Sequence, residues 1–164
     1  MASRSTLRAV DASDEWPLQL FVTYRLSTLS AKLNRQAGTV LKQAGSLRVP
    51  EWRVLALLAV HGEMTASEIT DIAALDPGLI SRAFRALELR GLIIVRRRDA
   101  DRRSVHVSLT KTGSALHAKV LPIMQKRQRH LMSALTVQER TMFLRIMDKL
   151  QIAAEAWTVP AMKA

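Results

Sequence analysis

The chain has 164 residues, a formal net charge of +11 and 48% hydrophobic residues, enough for one domain with one substantial core. It contains no cysteine, which excludes disulfide stapling, thiolate metal sites and a thiol-oxidation switch. Its longest apolar run, VLALLAV at residues 54–60, is far short of the ~18 residues that cross a bilayer. The first 16 residues carry three acids (Asp11, Asp14, Glu15) and no apolar stretch of the kind a secretion signal needs, so a cytoplasmic location without membrane contact is expected. A charge this basic favours a polyanion such as nucleic acid; an anionic membrane surface or a merely solvated basic surface are the alternatives.

From Trp16 to about Ala44, Leu18, Phe21, Leu26, Leu29 and Leu33 recur at three- to five-residue steps and predict a long helix stopped by Gly45. Pro50 opens a second helix that ends at Gly62. TASE, residues 65–68, is a capping box that starts a short third helix to about Ala74. Asp76 then offers an N-cap, with Pro77 at the first helical position, for a fourth helix whose buried stripe is Ile80, Phe84 and Leu87 and which Gly91 ends.

Beyond Gly91 the period switches to alternation. LIIVRR and RSVHVSL read as two short strands joined by the glycine-free link RDADR. A helix follows over about 111–133. TVQE, residues 136–139, is a second capping box opening a last helix to about Trp157, with Phe143, Leu144, Met147, Leu150 and Ile152 on its apolar face. Residues 1–15 and 159–164 read as loose ends.

This order of elements predicts a mainly α protein with a small β-hairpin wing, a winged helix-turn-helix. The fourth helix carries Ser81, Arg82 and Arg85 away from its apolar stripe. Such a helix fits a major groove, where arginine bonds guanine O6 and N7 in a bidentate way; an ordinary solvated face is the plainer reading. Five arginines (Arg96, Arg97, Arg98, Arg102, Arg103) crowd the hairpin tip. Their mutual repulsion is useful beside a phosphate backbone or in a narrow minor groove. A charged loop that keeps edge strands from aggregating is the alternative.

DRRSVHVSLTKTG, residues 101–113, resembles the signature of the MarR family, the multiple-antibiotic-resistance-type regulators: Asp, any residue, Arg, five residues, Leu-Thr, two residues, Gly. It falls on Asp101, Arg103, Leu109, Thr110 and Gly113. GLISRAFRALELRGLI resembles the family's recognition helix, and the resemblance spans about residues 16–157. It implies a homodimer with an N-terminal dimerisation helix (16–46), a winged DNA-binding domain (47–110) and C-terminal dimerisation helices (111–158), docked as a repressor on a pseudo-palindromic operator in double-stranded DNA. It implies base contacts from Ser81 and Arg82, and groove and phosphate contacts from the wing, with Arg103 steered by Asp76 and with Asp101 in support. The family often has Asp-Arg where this chain has Arg85 and Ala86, so Arg85 is expected to take over a contact.

The resemblance also implies release by a small effector, often an aromatic or phenolic acid. Tyr24, Arg25 and Thr28 on the first helix and Trp52 and Arg53 on the second are expected to supply an aromatic wall and a carboxylate partner. The alternative is that the aromatics are core and the arginines pair with acids. His61, His106, His117 and His130 are scattered without a metal-ligand pattern, and no cofactor or metal is expected. There is no glycine-rich phosphate loop, HExxH or GxSxG, which argues against an enzyme. A winged-helix module for RNA or a protein partner, and an activator of the same fold, stay open.

Overall fold

The computed structural model describes residues 17–98 and 101–158; the side chains at 97, 98 and 101–104 lie outside that description. So do Trp16 and both stretches read as loose ends. The described elements are α1 (Val22–Gly45), α2 (Val49–His61), β1 (Met64–Thr65), α3 (Ala66–Ala73), α4 (Pro77–Leu89), β2 (Ile93–Arg98), β3 (Asp101–Leu109), α5 (Lys111–Met132) and α6 (Val137–Ala156). This is the expected mainly helical winged architecture.

Two boundaries differ from the sequence pattern. The first helix does not run from Trp16. Leu18–Leu20 form a separate 3-10 turn, because Phe21 is extended (φ −60°, ψ 125°), and α1 proper begins at Val22. At the other end the left-handed turn falls on Ser46 (φ 51°) rather than on Gly45. Gly45 serves packing instead: a Cβ there would sit 3.0 Å from both Leu116 Cδ1 and Val120 Cγ2 of α5.

The expected two-stranded hairpin is a three-stranded antiparallel sheet in the order β1-β3-β2. Met64 pairs with Val107 and Thr65 with His106, while Val95 pairs with Val107 on the other side of β3. A two-residue strand is too short to show alternation, so β1 left no pattern in the sequence. Thr65 ends that strand and also caps α3: its hydroxyl accepts from Glu68 N at 3.2 Å, and Glu68 accepts from Thr65 N at 2.7 Å. Thr136 and Glu139 repeat the box at α6.

These bonds from the Thr65 backbone and hydroxyl hold the Glu68 carboxyl below the usual range. A depressed carboxyl contributes stability above its unfolded pKa and loses it as pH falls through the folded value. Thr65→Ala removes an N-cap, a loss of about 1 kcal/mol in general, and its difference from wild type is expected to shrink as the pH falls through the lowered Glu68 value. Thermal melts across pH 3–7 check this, and a difference that grows toward acid would refute it.

The buried core runs from Ala37 to Val120, with Leu41, Leu47, Leu55, Ile69, Ile80, Leu87 and Val107 fully enclosed. Helix α6 contributes no buried residue, and neither does α1 before Ala37. The α5–α6 corner is fixed by Arg140, whose Nε donates to Met132 O at 2.8 Å and to Leu135 O at 3.1 Å.

The joint between the sheet and α5 explains the Leu-Thr-x-x-Gly part of the motif. The Thr110 hydroxyl accepts from Gly113 N at 2.9 Å, capping α5, and donates to Gly91 O at 2.7 Å. Thr110 N donates to Leu92 O at 3.1 Å. Gly113 is pressed against that same Leu92 carbonyl, with no room for a Cβ.

Candidate nucleic-acid interface and effector cleft

Asp76 caps α4 as its sequence position suggested: its Oδ1 accepts from Leu79 N at 3.2 Å, with Pro77 in the first turn. Ile80, Ala83 and Leu87 anchor one side of α4 in the core, and Phe84 is half-buried beside them. Ser81, Arg82 and Arg85 are exposed, so the three candidate reading residues share the outward side of one anchored helix. The Arg82 guanidinium reaches back over the first turn, where a Cβ on Gly78 would lie 3.5 Å from its Nη1 and 2.9 Å from Asp76 Oδ1. Glycine at 78 leaves that guanidinium and the cap room to lie side by side.

Arg96 is exposed on β2, opposite His106 of β3. His106 Nδ1 lies 3.3 Å from Glu63 Oε1, which joins the sheet to the end of α2. The backbone carries Arg97 and Arg98 at the end of β2 and Asp101, Arg102 and Arg103 at the start of β3, with a register irregularity between Arg97 and Arg98. The side chains of those five residues lie outside the description, including the expected steering of Arg103 by Asp76.

The five expected pocket residues do not line one cavity in this chain. Trp52 and Arg53 line an open cleft of about 490 Å³ with α1 residues Leu33 and Ala37, α5 residue Arg127 and α6 residues Phe143 and Met147. Tyr24, Arg25 and Thr28 lie on the exposed early turns of α1, around a second, shallow concavity with Lys32 that shares only Leu29 with the cleft. The Thr28 hydroxyl is turned to its own helix and donates to Tyr24 O at 2.9 Å. The 3.6-residue period puts Tyr24 and Thr28 on one side of α1, but it could not say that Trp52 looks elsewhere.

Two residues near Trp52 were given no role by the sequence reading: Arg127, which lines the cleft, and His117, which lies outside its lining. Arg127 donates from Nη2 to Leu33 O at 2.8 Å and from Nε to Gln36 Oε1 at 3.2 Å, clasping α5 to α1. His117 stacks on Trp52 with ring centroids 5.2 Å apart and planes 14° apart. Burial holds this imidazole below the usual histidine range, so it stacks as the neutral ring at pH 7. Arg53 donates from Nη1 to Ala73 O at 2.9 Å, satisfying a carbonyl at the end of α3. Neither cleft arginine is paired with an acid among the described residues, and no cluster of three metal-ligating side chains occurs among them.

A short helix, a capped turn, an anchored helix with polar residues outward and an arginine-rich strand pair define a winged helix-turn-helix protein. Residues 47–105 match the model of the MarR family. The chain carries a MarR-family winged-helix domain, and the proteins it resembles along that domain are transcriptional regulators.

An organic hydroperoxide resistance transcriptional regulator of Bacillus subtilis is 28% identical over 110 residues, which are 67% of this chain and 74% of that protein. The S. aureus MepR–DNA complex superposes with a TM-score of 0.73 at 21% identity, covering 80% of this chain and 96% of that one. Bordetella bronchiseptica BpsR, whose DNA binding is regulated by 6-hydroxynicotinic acid, superposes with a TM-score of 0.67 at 22% identity, covering 77% and 98%. Among the described residues no helix is long and apolar enough to cross a membrane.

Proposed function

We propose that this protein is a repressor that binds a pseudo-palindromic operator in double-stranded DNA as a homodimer and is released by a small aromatic carboxylate. The observation that carries the reading is α4. Its apolar side is locked into the core, and Ser81, Arg82 and Arg85 stand outward beside the arginine-rich wing. Two such helices in a symmetric pair, about 34 Å apart, would meet successive major-groove faces. Arg96, Arg97, Arg98, Arg102 and Arg103 would supply phosphate and minor-groove contacts, with Asp101 in support. MepR, bound to DNA in the same fold, supports this use.

In this reading α1, α5 and α6 are the dimerisation helices, because their early and late turns have no core of their own to cover. The effector would enter the cleft at Trp52. Arg53 commits one of its donors to Ala73 and keeps others for a carboxylate. BpsR, regulated by an aromatic acid, supports that ligand class. Tyr24, Arg25 and Thr28 would join the site only if a second copy brought them to it.

Selection of bound duplexes from a random pool tests the reading. The wild-type chain is expected to enrich one inverted repeat. Arg82→Ala is expected to cost about 1–3 kcal/mol on the enriched duplex and to relax one base pair in each half-site. An unchanged preference would remove α4 from the reading role.

A further inference from the structure

Arg90 follows the last residue of α4, and its guanidinium reaches across to the corner between α1 and α2. Nη2 donates to Gly45 O at 3.0 Å and Nη1 to Ser46 O at 3.0 Å. Nη1 also lies 3.6 Å from Glu51 Oε2. Glu51 is the one buried charged side chain among the described residues, at 5% exposure. The same Oε2 accepts from Arg48 N at 3.0 Å, closing the start of α2. A single planar fork thus joins the last turn of α1, the first turn of α2 and the end of α4.

The rest of α4 is held by Ile80, Ala83 and Leu87. Apolar packing of this kind is non-directional and tolerates small rotations of a helix about its contact line. A guanidinium bonded to two carbonyls is directional, and it fixes an angle that packing leaves soft. The corner it grips also belongs to the cleft, because Leu41 and Val49, on either side of the turn, are both cleft residues.

We infer that Arg90 is a positioning residue for DNA reading: by clamping α4 to the α1–α2 corner it holds Ser81, Arg82 and Arg85 in register with the base edges. The inference rests on the operator reading given above.

The test uses the full chain and three variants, Arg90→Ala, Arg90→Lys and Glu51→Gln, with the duplex enriched by the wild-type protein and a random duplex, at several salt concentrations and well below each melting temperature. Arg90→Ala is expected to lose affinity for the enriched duplex by about tenfold or more, the size of one lost base contact. Affinity for random duplex and the salt slope should stay at wild-type values. Arg90→Lys should not restore discrimination, since one ammonium cannot span both carbonyls in the same geometry. Glu51→Gln keeps an acceptor for Arg48 and should weaken discrimination less.

Wild-type discrimination in Arg90→Ala, with only a lower melting temperature, would reduce the residue to a brace and overturn the inference. A salt slope lower by about one would make it a direct phosphate contact, which also overturns it. Full rescue by lysine would mean that charge alone matters. If the wild-type chain itself does not discriminate, the operator reading falls and takes the inference with it. If the wild type discriminates and Arg90→Ala does so equally, only the inference falls.

Discussion

Gly113→Ala is expected to destabilise the protein by about 3 kcal/mol or more, at the upper end of what overpacking costs. The new methyl would be driven into the Leu92 carbonyl, which is backbone and cannot swing aside as a side chain would. Leu92 is held from two directions: its N donates to Leu87 O at 2.9 Å, and its O accepts from Thr110 N at 3.1 Å. Relief of the clash must break one of these and shift the start of β2 or the first turn of α5. In a domain of this size the loss corresponds to a fall of about 6–12 °C in Tm. Thermal unfolding followed by circular dichroism reads it directly. A loss below about 1 kcal/mol would mean that the joint yields, and the steric account of this glycine would be withdrawn.

On the homodimer reading, Ile146→Asp is expected to leave single chains whose winged domain is still folded. Met142, Phe143, Ile146, Met147 and Leu150 fall at helical spacing on one side of α6, and Ile146 is 46% exposed in the single chain. Unlike Phe143 and Met147 it does not line the cleft, so its substitution leaves that wall intact. A carboxylate placed in a seam between two copies would lose its hydration without a partner. Sedimentation should give the mass of one chain, and affinity for the full inverted repeat should fall on the order of 10²–10⁴-fold as the linked second contact is lost. Retention of a two-chain mass would show that α6 does not form the seam.

Features whose partners lie close in the chain could be read without coordinates. Thr65 with Glu68, Thr136 with Glu139, and Asp76 with Pro77 are local constructions, and each forms as its spacing predicts. The apolar stripe of α4 was legible for the same reason: a 3.6-residue period is written in consecutive residues. What stayed hidden joins distant positions. Arg90 meets residues 44 and 45 positions earlier, Arg127 bonds a carbonyl 94 positions earlier, and no pattern marks either arginine apart from its neighbours. Trp52 and Arg53 line the cleft, whereas Tyr24, Arg25 and Thr28, named with them from the family's pocket position, lie earlier on α1 around another concavity. Only the paths of α1 and α2 separate the two sets. Leu144 and Ile152 were placed on the apolar face of α6, yet the helical period turns them away from the Met142–Ile146–Leu150 side.

Helix α6 spends none of its side chains on the core of its own chain. On the paired reading, its apolar side stays wet in every newly made copy until that copy meets another. The free energy that completes the molecule then scales with how much of it is present, as for any species stabilised by mass action. Gene dosage and expression level would therefore set, together with any effector, the point at which repression begins.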